Sequence, residues 1–415
     1  MSNNKIDYDY TVGPVSKTGR KSNLSMFMVM LGFTFFSASM WVGQQLAAGL
    51  DFGGFIWALL LGGLILGAYT GALGFIGADS GLTLDMLSHR SFGKKGSWLP
   101  SAMISFTQMG WFGVGLAMFA IPVAKEVFGL DVTPDHMPAL GYLLVAIAGI
   151  LMTASAYFGI KSLTIISYIA VPLIAILGTV AMILAVKRGD ATLVEQFAKG
   201  TKDLGVIAGA GLVVGSFVSG GTATPNFARF AKNGKIGALV TVIAFFIGNS
   251  LMFFFGAVSS IYAGGNDIFE VMLNLNLFYF AVLILGLNIW TTNDNALYSV
   301  GLGLSNITGF SKKAMVLVGG LIGTVAAVWL YWNFCDWLNV LNCTLPPIGA
   351  ILILDYFLNK KEYTENSPLK TVNWFAVCGV VLGAVVANLL KWGIPSINGM
   401  VVAAVVYLIG KACKK

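Results

Sequence analysis

The chain has 415 residues, of which 57% are hydrophobic and only 10% are charged. A soluble globular domain carries about 25% charged residues, so the composition excludes an ordinary water-soluble protein. The net charge of +7 does not indicate a nucleic-acid partner, because the Lys and Arg residues lie in short gaps between long apolar blocks. A nucleic-acid binder would cluster them on one face with aromatic residues between them.

Apolar blocks recur along the whole chain, and each is close to the roughly 20 residues that cross a bilayer. We therefore predict an all-α integral membrane protein with about twelve transmembrane helices, in contact with lipid along most of its length. The predicted spans 1 to 12 cover residues 25–48, 54–78, 97–124, 138–159, 163–186, 205–224, 236–263, 268–302, 313–332, 335–358, 372–390 and 395–410. Short surface helices are expected near 82–90 and 190–203, and Pro346 and Pro347 should kink span 10 or break its hydrogen-bond ladder.

The basic residues between the spans predict the orientation in the membrane. Most of them fall on one side when the N-terminus is placed inside, and cytoplasmic loops carry such an excess. We therefore expect both termini in the cytoplasm, with residues 1–24 as a cytoplasmic N-terminal segment and 411–415 as a cytoplasmic tail.

Two spans contain small polar runs in the middle of an apolar block. Span 1 contains Ser37-Ala38-Ser39, and span 6 contains a glycine-dense run at 215–222. Broken helices at matching positions of two halves are typical of inverted-repeat transporters, whereas close packing through small residues is the alternative. The pattern predicts a first repeat at 25–186, a second at 205–358, and two further spans at 372–410.

Span 8 is the most polar of the predicted helices. Asn288, Thr291 and Thr292 are spaced i, i+3 and i+4, so they share one helix face. Together with carbonyls freed by a broken neighbour, these side chains would supply oxygen ligands for an alkali cation. Asp294 follows on the same helix, and its alternatives are a proton relay, a cation attractor, a network anchor, or a carboxylate that meets water near the helix end.

Span 3 offers groups that suit a planar heterocycle. Gln108 both donates and accepts hydrogen bonds, and Trp111 lies three residues further on, roughly on the same side. Phe217 in span 6 is positioned to supply a second aromatic face. The alternative for Trp111 is a membrane-interface residue, which its position near mid-span weakens.

Two other classes of membrane protein compete with a transporter. An intramembrane enzyme is disfavoured, because the chain has no HExxH or Walker A motif and both His89 and His136 lie in predicted connections. A channel is disfavoured only weakly, because no repeated pore-lining rings are visible. We therefore expect a carrier and not an enzyme.

Four segments together resemble a known family. TFFSASMW in span 1, TQMGWFGVG in span 3, VVGSFVSGGT in span 6 and GLNIWTTNDNALY in span 8 are similar to the bacterial cytosine permeases of the nucleobase–cation symporter-1 family. The resemblance extends from span 1 to span 12. It implies a LeuT-like fold, with spans 1–5 and 6–10 as inverted repeats, discontinuous spans 1 and 6, and two extra C-terminal helices.

The resemblance also implies a function and a set of site residues. A monomer would import cytosine across the bacterial inner membrane by sodium-coupled symport and alternating access; the alternative is a proton-coupled permease for a nucleobase or related heterocycle. Trp111 and Phe217 would stack on the base, and its edge would be bonded by Gln108, Ser216, Ser219 and Asn288. Sodium would be held by the carbonyls of Phe36, Ser39 and Asn288 and the hydroxyls of Thr291 and Thr292, with Asn293 and Asp294 as candidates for coupling or gating.

Overall fold

The computed structural model describes residues 9, 13–265, 268–333, 343–364, 368–390 and 392–413. Within these ranges the chain folds as a bundle of helices, which we number in chain order. They are α1 (Asn23–Thr34), α2 (Ser37–Gly49), α3 (Phe52–Ser80), α4 (Leu84–Phe92), α5 (Trp98–Glu126), α6 (Ala139–Tyr157), α7 (Ile160–Val186), α8 (Leu193–Phe197), α9 (Val206–Thr222), α10 (Pro225–Ala228), α11 (Gly234–Ala263), α12 (Ile268–Asn274), α13 (Phe278–Thr308), α14 (Lys312–Trp332), α15 (Pro346–Leu358), α16 (Lys360–Thr364), α17 (Trp374–Leu389) and α18 (Pro395–Ala412).

Helices lie at the positions of the twelve predicted spans, and among the described residues eight of these positions have the length and apolar character to cross a membrane. Of the helices in the described ranges, seven are long and apolar enough to cross a membrane singly, namely α3, α5, α6, α7, α11, α14 and α18, and α1 with α2 does so as a bent pair. Three shorter apolar helices, α9, α15 and α17, follow, and the 31-residue α13 carries the polar run of span 8. Residues 335–342 of span 10 lie outside the described residues. The short helices α4 and α8 lie in the two connections where surface helices were predicted.

Span 1 is interrupted where the sequence predicts. The axes of α1 and α2 differ by 56°, and the two residues between them, Phe35 and Phe36, have extended or irregular backbone. The interruption lies directly before the Ser37-Ala38-Ser39 run, whose residues form the first turn of α2.

The interruption of span 6 lies at the end of the glycine run and not inside it. Helix α9 continues unbroken to Thr222, and Ala223 and Thr224 separate it from the short helix α10. The glycines within α9 serve close packing, because a Cβ at Gly221 would lie 2.6 Å from the Thr70 side chain on α3.

Spans 8 and 10 are both interrupted. Span 8 is divided into α12 and α13, and Asn276 in the connection takes a φ of 61°, which stops a helix. In span 10, Cys343 and Thr344 are helical and Leu345 forms a bend, so the helix is interrupted directly before Pro346 and Pro347, which occupy the first turn of α15. At this position the missing proline N–H has no partner to lose.

The helices pack in two main groups, with the broken helix between them. Helices α5, α6, α13 and α14 pack against one another, and α3, α9 and α11 form a second group that α2 joins through α11. The contact of α2 with α11 depends on glycine, because a Cβ at Gly256 would lie 1.8 Å from the Met40 carbonyl oxygen. Helix α1 contacts both α7 and α13, so the break in span 1 faces the polar run of α13.

Candidate functional site

The start of α2 is held by a residue of another helix. Phe36 precedes α2 without a side-chain cap of its own, and the first helical N–H groups normally find such an acceptor nearby. Here the Ser37 N–H donates to Asn288 Oδ1 on α13 at 2.5 Å. Asn288 is fully buried, so it fixes the break of span 1 against α13.

The oxygens of the predicted sodium site fall in two small groups. On α13, the Asn288 carbonyl accepts from the hydroxyls of Thr291 at 3.1 Å and Thr292 at 3.2 Å. At the break, the Phe36 carbonyl accepts from the Ser39 N–H at 3.0 Å. The bond between Ser37 and Asn288 joins the two groups.

The donor set suits a monovalent cation. The five predicted ligands are three carbonyls and two hydroxyls, all uncharged, and unwound backbone carbonyls bind sodium in transporters with broken helices. Each hydroxyl has lone pairs beyond the proton that it now donates. The residues present therefore fit sodium, with Thr291 and Thr292 free to turn their oxygens from the Asn288 carbonyl toward an ion.

Asn249 on α11 is a site residue that the sequence reasoning missed. The Ser39 hydroxyl donates to Asn249 Oδ1 at 2.6 Å, and Asn249 Nδ2 donates to the Ser216 hydroxyl at 3.5 Å. Asn249 directly follows a π-helical turn at Ile243–Gly248, a feature frequent at functional sites. An asparagine inside the apolar span 7 was the signal that could have indicated it.

Five of the six predicted substrate residues line one cavity. They are Gln108, Trp111, Ser216, Phe217 and Ser219, together with Phe33, Phe36, Gly220, Thr292 and Ala296. Asn288 lies one turn from Thr292 on α13 but is not part of this lining. The cavity has a volume of about 20 Å³, enough for about one water molecule.

The aromatic rings are arranged differently from the predicted sandwich. The ring of Phe36 contacts both expected stacking residues, 5.5 Å from Trp111 and 6.4 Å from Phe217 between centroids, and it is edge-on to both at 77° and 83°. Phe217 in turn packs edge-on against Phe33 and Phe245. The sequence predicts a role for the carbonyl of Phe36 and does not indicate the position of its ring.

Several polar atoms at the pocket have no partner among the described residues. Gln108 Nε2, Ser219 Oγ and Asn288 Nδ2 are buried and make no hydrogen bond there. Leaving a buried donor unpaired costs about 1–3 kcal/mol, and such groups are rare in folded proteins. All three atoms can donate, so they suit a ligand that carries hydrogen-bond acceptors.

Neither Asn293 nor Asp294 is among the residues that line this pocket. Asp294 is fully buried in mid-helix, and not near the helix end, where one of the alternatives placed it. Its Oδ1 accepts from Ser155 at 2.5 Å, and Ser155 also accepts from the Trp290 indole at 2.9 Å. Asn293 donates to the Phe112 carbonyl at 3.1 Å. Both residues therefore lie in the packing of α13 against α5 and α6.

Comparisons with solved structures show the fold. A nucleobase-cation-symport-1 family transporter, solved in a closed conformation with bromovinylhydantoin bound, superposes with a TM-score of 0.80 over 97% of this chain and 95% of that one, at 19% identity. A Na⁺-coupled sialic acid symporter in a substrate-bound outward-open state matches with a TM-score of 0.71 over 98% and 91%, at 14% identity. The predicted LeuT-like all-helical fold is confirmed; the boundaries of its repeats stay a prediction.

Sequence comparisons show the family. The chain is 47% identical over 405 residues to the cytosine permease of Escherichia coli (strain K12), covering 97% of this chain and 94% of that one. It is 22% identical over 366 residues to the hydantoin permease of Microbacterium maritypicum, covering 79% and 73%. Residues 14–410 match the family model described as permease for cytosine/purines, uracil, thiamine, allantoin. The chain therefore belongs to this family of membrane permeases, and it is a transporter and not an enzyme.

Proposed function

We propose that this protein imports cytosine by sodium-coupled symport and alternating access. The observation that carries the proposal is a buried pocket that combines aromatic rings with unpaired hydrogen-bond donors beside a neutral set of oxygen ligands. The relative at 47% identity is named a cytosine permease, and its similarity covers almost the whole chain. Both facts support a small planar base as the substrate.

In this proposal the base lies between Trp111 and Phe217. The cavity of about 20 Å³ is too small for a pyrimidine, so the ring of Phe36 must move away from these two residues. Gln108 Nε2, Ser219 Oγ and the Asn288 amide then donate to the ring nitrogen and carbonyl of cytosine, with Ser216 contributing through its backbone. The unpaired donors of the pocket gain partners only when a base is bound.

Sodium binds where the broken helix meets α13. The carbonyls of Phe36, Ser39 and Asn288 and the hydroxyls of Thr291 and Thr292 hold the ion; Asn288 belongs to both sites. Because the coupling free energy is reciprocal, cytosine must tighten sodium binding by the factor with which sodium tightens cytosine binding.

The membrane placement follows the distribution of basic residues. We place both termini, α4 and the connection between α10 and α11 on the cytoplasmic side of the bacterial inner membrane, with the protein working as a monomer. Asn293 and Asp294 contribute to coupling by holding α13 against α5 and α6. The proton-coupled alternative would need Asp294 to exchange a proton, and its position away from the pocket favours sodium instead.

The test is uptake of radiolabelled cytosine in a strain lacking its own permease, with sodium replaced by choline. Trp111→Ala removes a pocket ring, and Trp329→Ala, at a tryptophan 65% exposed on α14, is the matched control. Saturable, sodium-dependent uptake that is lost only in Trp111→Ala is the expected result. Uptake that ignores sodium but collapses with a protonophore would overturn the ion assignment, and no cytosine uptake from protein in the membrane would overturn the substrate.

A further inference from the structure

A second group of buried polar side chains lies beside the pocket, toward the side that we propose to be cytoplasmic. Ser105 is three residues before Gln108, about 4.5 Å along α5. Asn226 in α10 follows the last pocket residues of α9, and Asp85 lies in the first turn of α4. We call Asp85, Ser105 and Asn226 the inner cluster.

Two members of the inner cluster lie next to a glycine of α13, and the third is bonded to a neighbouring residue. A Cβ at Gly303 would lie 2.3 Å from Ser105 Oγ and 3.5 Å from Asp85 Oδ1, so both side chains contact the space that this glycine leaves. Asn226 Oδ1 accepts from the N–H of Leu84, the neighbour of Asp85, at 2.9 Å. Asp85 and Ser105 therefore lie at the same glycine, and Asn226 lies beside the start of the helix that carries Asp85.

Each member carries a buried atom that is unpaired within the described part of the chain. These atoms are Asp85 Oδ2, Ser105 Oγ and Asn226 Nδ2, and their residues are exposed by only 3%, 1% and 0%. The other oxygen of Asp85 accepts from the Ser101 hydroxyl at 2.5 Å. Burying unpaired polar atoms costs free energy, and three such atoms on neighbouring elements indicate a ligand that binds there transiently.

One member of the inner cluster lines a larger cavity. Asp85 also lines a cavity of about 730 Å³, whose wall includes His89, Asn306 and the exposed Lys94 and Lys95. A base that leaves the pocket along α5 and α13 would pass the inner cluster before it enters this cavity. Burial raises the pKa of the Asp85 carboxyl to about 6, so at neutral pH its free oxygen is mainly an acceptor.

We propose that the inner cluster is a second, transient binding site for an aminopyrimidine on its way to the cytoplasm. The inference rests on the proposed function. Asp85 accepts from the exocyclic amino group, as carboxylates do with cytosine, while Ser105 and Asn226 donate to the ring nitrogen and carbonyl. A base with a carbonyl in place of the amino group puts an acceptor opposite the carboxylate, so the site favours cytosine over uracil.

The first test deletes an unpaired hydroxyl and compares the two faces of the membrane. Ser105→Ala removes an atom that has no partner among the described residues, so folding does not depend on it. Ser259→Ala is the matched control, because Ser259 on α11 is also fully buried with an unpaired hydroxyl. In proteoliposomes, Ser105→Ala should raise the half-saturating concentration of cytosine at the cytoplasmic face about fivefold, the effect of one hydrogen bond. The half-saturating concentration at the outer face and the equilibrium binding of cytosine to the pocket should stay unchanged. In Ser259→Ala, the half-saturating concentrations at both faces and the equilibrium binding should all match the wild type.

The second test reverses the hydrogen-bonding character of the site. Asp85→Asn replaces the free acceptor by a donor; cytosine should then bind more weakly at the cytoplasmic face, while uracil competes better there than in the wild type. A purely structural role of Asp85 would weaken both bases alike, and that result would overturn the proposal, as would a Ser105→Ala variant that behaves like Ser259→Ala. If the wild type does not transport cytosine, the proposed function is wrong. If the wild type transports cytosine, Trp111→Ala abolishes this transport and Ser105→Ala has no effect, only the proposal of the inner binding site is wrong.

Discussion

Thr292 lies where the two candidate sites meet, and replacing it by valine separates its hydroxyl from its shape. The side chain lines the pocket, and its hydroxyl donates to the Asn288 carbonyl at 3.2 Å. Valine keeps the branched outline. The Asn288 carbonyl keeps the bond from Thr291, so no new unpaired acceptor is created. We therefore expect a folded protein that has lost one sodium ligand.

The size of the effect follows from the charge of the ion. An interaction with a charged group contributes about 1.5–3 kcal/mol, and about 1.4 kcal/mol corresponds to a factor of ten. Thr292→Val should therefore raise the sodium concentration for half-maximal cytosine binding by roughly ten- to a hundredfold. At subsaturating sodium the apparent affinity for cytosine should fall as well, because the coupling is reciprocal.

Equilibrium binding of radiolabelled cytosine to the purified protein, titrated with sodium, measures both quantities. Thr292→Ser is the control, since it keeps the hydroxyl and loses only a methyl group. An unchanged sodium requirement in Thr292→Val would refute the ion site. Equal losses in the valine and serine variants would show that the methyl group, and not the oxygen, matters.

Three further substitutions address the surroundings of the site. Asn249→Leu removes the hydrogen-bonded link between α2 and α9 and leaves a buried serine hydroxyl unpaired. The melting temperature and the uptake rate should therefore both fall, by an amount that corresponds to about 1–3 kcal/mol. Unchanged thermal unfolding would contradict this prediction. Gly256→Ala forces α2 and α11 apart and should lower the yield of folded protein in detergent, whereas Gly211→Ala, where the nearest atom to a new Cβ lies 3.8 Å away, should not. Asp294→Asn keeps an oxygen for Ser155 and should retain sodium-dependent uptake, while loss of proton-driven uptake in this variant would make Asp294 the coupling group.

Much of the fold was predictable because hydropathy reports burial in lipid directly. The twelve positions of the spans follow from long apolar blocks, and the break in span 1 follows from a polar run where lipid would penalise it. The place of the interruption in span 6 did not follow, because Gly220 lies against Phe33 on α1 and Gly221 against Thr70 on α3 and Phe245 on α11. Close packing and unwinding use the same small residues, so the sequence alone does not separate them.

The sequence predicted those site residues whose type has few possible roles in the middle of a membrane span. Gln108 and Trp111 in mid-span indicated a pocket, and the structure places both in the lining with Phe217. The ring of Phe36 and the amide of Asn249 were missed, since their roles depend on contacts between helices far apart in the chain. Such contacts are set by the angle of the broken helix, which no local pattern encodes.

Asn288 explains how the proposed coupling can act over a short distance. Its Oδ1 holds the N–H of Ser37 at the start of α2, and its carbonyl receives the hydroxyls of Thr291 and Thr292. Its Nδ2 has no partner among the described residues. A base that accepts from Nδ2 fixes the plane of the amide, and Oδ1 then fixes the first turn of α2 beside the Phe36 carbonyl. In the proposed mechanism the substrate thereby orders the proposed sodium ligands on both helices through one side chain, and coupling requires no longer path through the protein.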